Sequence, residues 1–273
     1  MKKFIMYAVA VAATMSLTSC LSEEEVNLEK GEKGEGYISL DLSADRTLET
    51  RTGTTLSAND ANTWYVEVKN SLNEVALAQT QVGNLASQAF AAPATYKVYV
   101  SNYPNLAAAL SASSDTEIGA AYFEGNNESV QVAVAGTATA TCTCGTAKNA
   151  RLVVNAANFD GKINSLIVVG SDGASGTRTV IFKNSETNNM DKTAYFKASD
   201  DLTYTINYTI NGKTSSYSNT LSLNAATANT LSIASNQNGS ISLSITYDSE
   251  FGSGKTETIT IDAATGAVIT PAS

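Results

Sequence analysis

From Tyr37 onward, apolar and polar positions alternate along the chain with a period of two. Ile38, Leu40 and Leu42 share one side of a predicted strand, Trp64, Val66 and Val68 of a second, Tyr96, Val98 and Val100 of a third, and Val130, Val132 and Val134 of a fourth. Ile163, Ser165, Ile167 and Val169 repeat the pattern. Leu202, Tyr204, Ile206, Tyr208 and Ile210 carry it furthest, and Ile241, Leu243 and Ile245, then Ile259 with Ile261, end the series. Such alternation marks strands with one buried and one wet face, as antiparallel sheets have. Asn211-Gly212, Asp172-Gly173 and Asn238-Gly239 are turn signals between strands. Residues 137–144, TATATCTC, read as a further strand, and Leu152, Val153 and Val154 begin another. One stretch reads helical, from Asn105 to Ala112 after Pro104. The pattern predicts an all-β chain divided near Gly145 into 37–145 and 146–273, each about the size of one sandwich.

Before Tyr37 the pattern is different. Residues 1–19 join a positive start, Lys2 and Lys3, to a short apolar stretch, Phe4 to Ala13, too short to span a membrane as a helix. The segment runs into Leu17-Thr18-Ser19-Cys20, which resembles the lipobox of bacterial lipoproteins. By that resemblance Cys20 carries a diacylglycerol and becomes the first residue of the mature chain. Two acyl chains, at about 0.8 kcal/mol per buried methylene, make a stable membrane anchor. Ser22, Glu23, Glu24 and Glu25 follow directly and look like the export signal that sends Bacteroidota-type lipoproteins to the outer face of the outer membrane. The other reading of this charge run is a solvated tether. Residues 20–36 are acidic and Gly-rich and read as a flexible link between lipid and folded part.

Composition narrows the functions open to such a chain. Histidine is absent, which excludes Ser-His-Asp and Cys-His catalysis and every histidine-bearing zinc site. Loss of Lys2 and Lys3 with the signal leaves 15 basic against 26 acidic residues, a net charge of −11. A surface of that sign repels phosphate backbones, so no nucleic acid is expected as a partner.

Other motifs carry little chemistry. Cys142 and Cys144 stand two apart on one face of a strand, too far apart for an unstrained disulfide. With no histidine and only Cys20 besides, they cannot complete a tetrahedral zinc site, and they read as small buried apolar residues. Gly252-Ser253-Gly254-Lys255-Thr256 imitates the end of a phosphate loop, but strand alternation follows where a helix should open. The acids Asp60, Asp200 and Asp201 offer no visible pairing for a glycosidase, so no catalytic residue, metal or cofactor is assigned. Trp64, Tyr204 and Tyr208 alternate with core positions. Tyr65 and Tyr99 fall on the opposite faces and are candidate surface aromatics, able to stack on sugar rings.

Taken in order, the lipobox, the acidic tether, the opening strand Gly36-Tyr37-Ile38-Ser39-Leu40-Asp41-Leu42, the run Ala94-Thr95-Tyr96-Lys97-Val98-Tyr99-Val100 and Thr141-Cys142-Thr143-Cys144 with Asn149-Ala150-Arg151-Leu152-Val153-Val154 resemble surface lipoproteins allied to the fimbrillins. The resemblance implies two antiparallel β-sandwich domains, of Greek-key or transthyretin-like topology, and a non-enzymatic adhesin or pilus-associated subunit. In the polymerising members a protease cuts after a basic residue in the first strand, and a neighbour's strand enters the vacated groove by β-strand addition. Arg46 and Arg51 are the positions that could match such a cut, the alternative being an exposed loop that happens to carry arginine. Partners then include other pilus subunits or ligands on host and cell surfaces. A surface glycan-binding lipoprotein for nutrient capture is the alternative function on the same scaffold.

Overall fold

The computed structural model describes residues 33–44, 61–155, 163–183, 192–198, 201–210, 212–223, 225, 228–235, 241–247, 259–261 and 268–269. The chain runs through β1 (Gly34–Ala44), β2 (Tyr65–Asn70), β3 (Val75–Gln81), β4 (Phe90–Ala92), β5 (Ala94–Ser101), helix α1 (Leu106–Ser111), β6 (Glu117–Ile118), β7 (Glu124–Val132) and β8 (Thr137–Cys144). It continues through β9 (Asn149–Asn155), β10 (Ile163–Ser171), β11 (Thr177–Lys183), β12 (Thr193–Lys197), β13 (Asp201–Ile210) and β14 (Lys213–Ser222). The last strands are β15 (Ala228–Ser235), β16 (Ile241–Tyr247), β17 (Ile259–Ile261) and β18 (Val268–Ile269).

These strands form four sheets, ordered β4-β1-β8, β3-β2-β5-β7, β11-β10-β13-β14 and β18-β17-β16-β15-β9-β12-β6. The first two face each other across a core that includes Ile38 of β1, Val66 and Val68 of β2, Val98 of β5 and Ala140 of β8. The other two enclose a second core, with Leu166 and Val168 of β10, Tyr204 and Tyr208 of β13, Leu152 of β9 and Phe196 of β12. The fold is all-β and sandwich-like, as the alternation predicts. Two of the sheets are purely antiparallel, whereas β1 runs parallel to β8, and β9 and β6 run parallel to β15 and β12. Each buried aliphatic or aromatic side chain contributes roughly 1.5–3 kcal/mol, and ordering the backbone opposes most of that gain.

Strand β12 joins the two cores. Its consecutive residues Thr193, Ala194, Tyr195 and Phe196 are all buried. Ala194 and Phe196 enter the second core, while Tyr195 points into the first and donates from its hydroxyl to Glu117 Oε1 at 3.1 Å. Across the same seam Arg178 of β11 donates to the Leu110 carbonyl at the end of α1 and lies over the Phe196 ring, 5.8 Å from its centroid.

Local chemistry accounts for most element ends. α1 begins where Asn105 Oδ1 accepts the Ala108 N–H at 2.8 Å, the bond that makes asparagine a good N-cap. Between β10 and β11, Asp172 Oδ1 accepts from Ala174 and Gly176 while Gly173 takes φ +87°. Ile210 pairs with Lys213, leaving a two-residue turn in which Gly212 has φ +76°.

Three expectations are corrected. A register shift between Ile163 and Ser165 turns β10 over, so Leu166, Val168 and Gly170 face the core instead of Ser165, Ile167 and Val169. β7 stops at Val132, because Ala135 adopts φ +55° in the turn to β8, and Val134 is exposed. The tether, expected to reach Gly36, gives way to β1 at Gly34, whose first residues pair with Ala92, Ala91 and Phe90 of β4. A Cβ at Gly36 would lie 2.4 Å from the Ala133 carbonyl oxygen, so only glycine admits this approach.

Cys142 and Cys144 of β8 are fully buried and unbridged. Burial pushes their thiols up to about 11 and about 12 respectively. A thiol in the unfolded chain ionises near pH ~8.5, so above that pH the unfolded state loses protons first. The stability tied to these neutral thiols is complete below pH ~8.5 and is lost as the pH rises through the folded values. Thermal unfolding is expected to drop steeply between about pH 9 and 11, and the drop should flatten in the Cys142→Ala/Cys144→Ala double variant. An unchanged slope in that variant would assign the alkaline loss to other groups.

Candidate functional site

The outer face of the β3-β2-β5-β7 sheet holds a hollow walled by polar and aromatic side chains. Alternation sends Val66, Val68, Val98 and Val100 inward and turns Tyr65, Glu67 and Lys69 of β2, with Lys97 and Tyr99 of β5, outward. Glu67 pairs with Tyr99 across the ladder, and Tyr65 with Ser101. Lys69 Nζ bridges this face, 3.0 Å from Glu67 Oε2 and 5.2 Å from the Tyr99 ring centroid. The Glu67 carboxylate raises the Lys69 pKa, first through this hydrogen bond and then through its charge.

Where β5 ends and β7 begins, the face deepens into a hollow of about 350 Å³. Glu67, Gln79, Tyr99, Tyr122, Glu124 and Lys148 contribute to its wall. Tyr122 donates from its hydroxyl to Glu124 Oε2 at 3.2 Å. Burial, then the Glu124 charge, pushes that hydroxyl up to about 12, so it remains a donor at neutral pH. Gln79 Nε2 donates to the Pro104 carbonyl at 2.8 Å, which fixes the amide.

The segment that carries Tyr122 belongs to no strand, and two asparagines hold it instead. Asn149 is fully buried. Its Oδ1 accepts the Tyr122 N–H at 2.9 Å and its Nδ2 donates to the Ala120 carbonyl at 2.7 Å. Asn102 does the same one residue on, accepting from Phe123 N at 2.8 Å and donating to the Ala121 carbonyl at 2.7 Å. Lys148 N also donates to the Tyr122 carbonyl at 2.8 Å. Each asparagine thus replaces a strand partner for backbone that would otherwise be buried unpaired. Phe123 beyond it stacks on Trp64, with ring centroids 6.3 Å apart.

The residues singled out in the sequence fall in different places. Tyr99 lines the hollow, and Tyr65 lies half-buried beside it on the same face. Trp64, Tyr204 and Tyr208 are core residues. Cys20, Ser22, Glu23, Glu24, Glu25, Arg46 and Arg51 lie outside the described residues, as do Asp60, Asp200 and the Gly252–Thr256 segment. Tyr122, Glu124, Lys148 and Asn102 belong to no sequence motif, and Asn149 heads the Asn149–Val154 run with no site role assigned to it. They come from turns and strand ends, where no periodicity marks a residue. Among the described residues no group of three or more Cys, Asp or Glu stands close enough to hold a metal. Glu67 and Glu124 line one hollow, but Glu67 is ion-paired with Lys69 and 30% exposed, unlike the dry carboxyl a glycosidase uses as its acid.

Comparison with known proteins supplies a family. Residues 34–263 match the model of a family described as "Domain of unknown function (DUF4493)". No curated protein sequence matches the chain. Among solved structures, the tip fimbrial protein Mfa3 from Porphyromonas gingivalis, with a C-terminal truncation, is 8% identical with a TM-score of 0.40, over 79% of this chain and 97% of that one. A candidate adhesin from Bacteroides ovatus is 9% identical with a TM-score of 0.34, over 75% and 88%. The pilus adhesin SpaC from Lactobacillus rhamnosus GG is 10% identical with a TM-score of 0.26, over 85% of this chain and 30% of that one.

Proposed function

The chain belongs to the family described as domain of unknown function DUF4493, and we propose that it is a non-enzymatic cell-surface lipoprotein, a fimbrillin-like adhesin or pilus-associated subunit with an exchangeable first strand. The observation that carries this reading is the seating of β1. It lies between β4 and β8, antiparallel to one and parallel to the other, with Tyr37–Ala44 paired to Thr137–Cys144. Ile38 is buried in the core at 1% exposure. Arg46 and Arg51 follow β1 directly in sequence. A cut after either would leave β1 held only by its ladders and its side chains, in a groove that an identical or similar strand could refill.

The rest of the proposal concerns placement. A lipid on Cys20 anchors the chain in the outer membrane, and Ser22, Glu23, Glu24 and Glu25 direct it to the outer face. The partners are other subunits, reached by strand addition, or ligands on neighbouring surfaces.

Limited trypsin treatment of the full chain, followed by mass spectrometry and size-exclusion chromatography, tests this reading. Cleavage after Arg46 or Arg51 with growth of SDS-resistant oligomers is expected. A cleaved chain that stays monomeric at every concentration would reject strand exchange.

A further inference from the structure

We propose that the hollow between Tyr99 and Tyr122 is a saccharide site that takes the end of an uncharged glycan. The proposal identifies a place for the glycan-binding reading of this scaffold and does not rest on strand exchange, since the hollow lies on the outer face of the sheet opposite β1.

Three properties of the hollow lead to it. Its wall is preorganised: Asn149 and Asn102 lock the backbone on both sides of Tyr122, and the Pro104 carbonyl holds Gln79. A site whose polar groups are already fixed loses little freedom when it binds. Its charge is mixed, with the Glu67 and Glu124 carboxylates and the Lys148 ammonium facing one space. Among the described residues Lys148 forms no ion pair. An anionic ligand would meet the two carboxylates, and a cationic one would meet Lys148. A polyol, whose hydroxyls donate and accept at once, can satisfy both signs. Its aromatic content comes from Tyr99, half-buried on the outer face, whose ring gives the C–H side of a sugar an apolar edge, whereas Tyr122 is buried at 8% exposure and holds Glu124 through its hydroxyl. The volume of about 350 Å³ is at the small end for ligand pockets and suits a terminal sugar better than a peptide strand.

The full chain, screened against an array of oligosaccharides ending in glucose, galactose, mannose, fucose or N-acetylglucosamine, tests the site. Lysine-rich and glutamate-rich peptides on the same array serve as charged probes. Saturable binding to at least one neutral glycan is expected. Tyr99→Ala and Glu124→Gln should each weaken it about tenfold or more, whereas Thr205→Ala, on the outer face of the other sandwich, should leave it unchanged. Glu124→Gln keeps the shape of the side chain, and an unchanged unfolding temperature separates loss of binding from loss of fold. Absence of binding to every neutral glycan, binding that survives both substitutions, or binding to the charged peptides alone would each overturn the assignment. A chain that binds sugar but stays monomeric after cleavage at Arg46 or Arg51 would refute strand exchange and leave this site standing.

Discussion

Replacing Ile38 with Asp is expected to unfold the sandwich that β1 completes. Ile38 is 1% exposed and faces a core shared by Val66, Val98 and Ala140. Losing its apolar side chain removes roughly 2–3 kcal/mol, and the carboxyl must then be buried neutral or drag water inward. A total of about 4–6 kcal/mol is comparable to the whole stability of many domains. Trp64, the chain's single tryptophan, lies in the same core at 5% exposure and reports the outcome directly. Its emission should shift to the red in Ile38→Asp and remain blue in Asp41→Ala, because Asp41 points to solvent on the other side of β1. Native emission from Ile38→Asp would show that β1 is not an integral strand of this core.

Asn149→Ala is expected to be the most damaging change near the hollow. The substitution takes two hydrogen bonds from buried backbone, leaving the Tyr122 N–H and the Ala120 carbonyl without those partners. Each orphaned group costs about 1–3 kcal/mol, so the sum is about 2–6 kcal/mol. For a folded region of this size, 3 kcal/mol lowers the unfolding temperature by about 6–12 °C. Asn126→Ala, an exposed asparagine of β7 at the rim of the hollow, should move it by no more than about 2 °C. The Asn149 variant should also lose ligand, since Tyr122 no longer has a fixed backbone. Equal unfolding temperatures in the two variants would mean that the 120–123 segment is held by packing alone.

The readable part of this fold was the alternation. Leu202 to Tyr208 and Tyr96 to Val100 sit inward as their spacing requires, because each strand has one core face and one wet face. Where that condition fails, the sequence is silent. β14, Lys213–Ser222, is an edge strand rich in Ser and Thr, exposed along most of its length, so no apolar period marks it. β12 is the opposite case, buried on both faces between two cores, and so it shows no alternation either. In β10 the period was visible but assigned to the wrong face, because a register shift after Ile163 cannot be seen in a list of side chains. The hollow was legible only in part. Tyr99 announced itself by its parity on β5. Tyr122, Asn102 and Asn149 act through backbone brought together over sequence separations of 21 and 27 residues, and nothing local marks them.

The exchangeable first strand is the central claim, and a tagged peptide tests it most directly. The full chain is cleaved after Arg46 or Arg51 and incubated with excess biotin-labelled peptide spanning Gly34–Ala44, and uptake is followed by native mass spectrometry. The cleaved chain is expected to release its own amino-terminal fragment and take up the peptide in its place, while the intact chain takes up none. A cleaved chain that keeps its fragment and excludes the peptide, even after long incubation, would contradict the account and leave β1 as a permanent part of the sandwich.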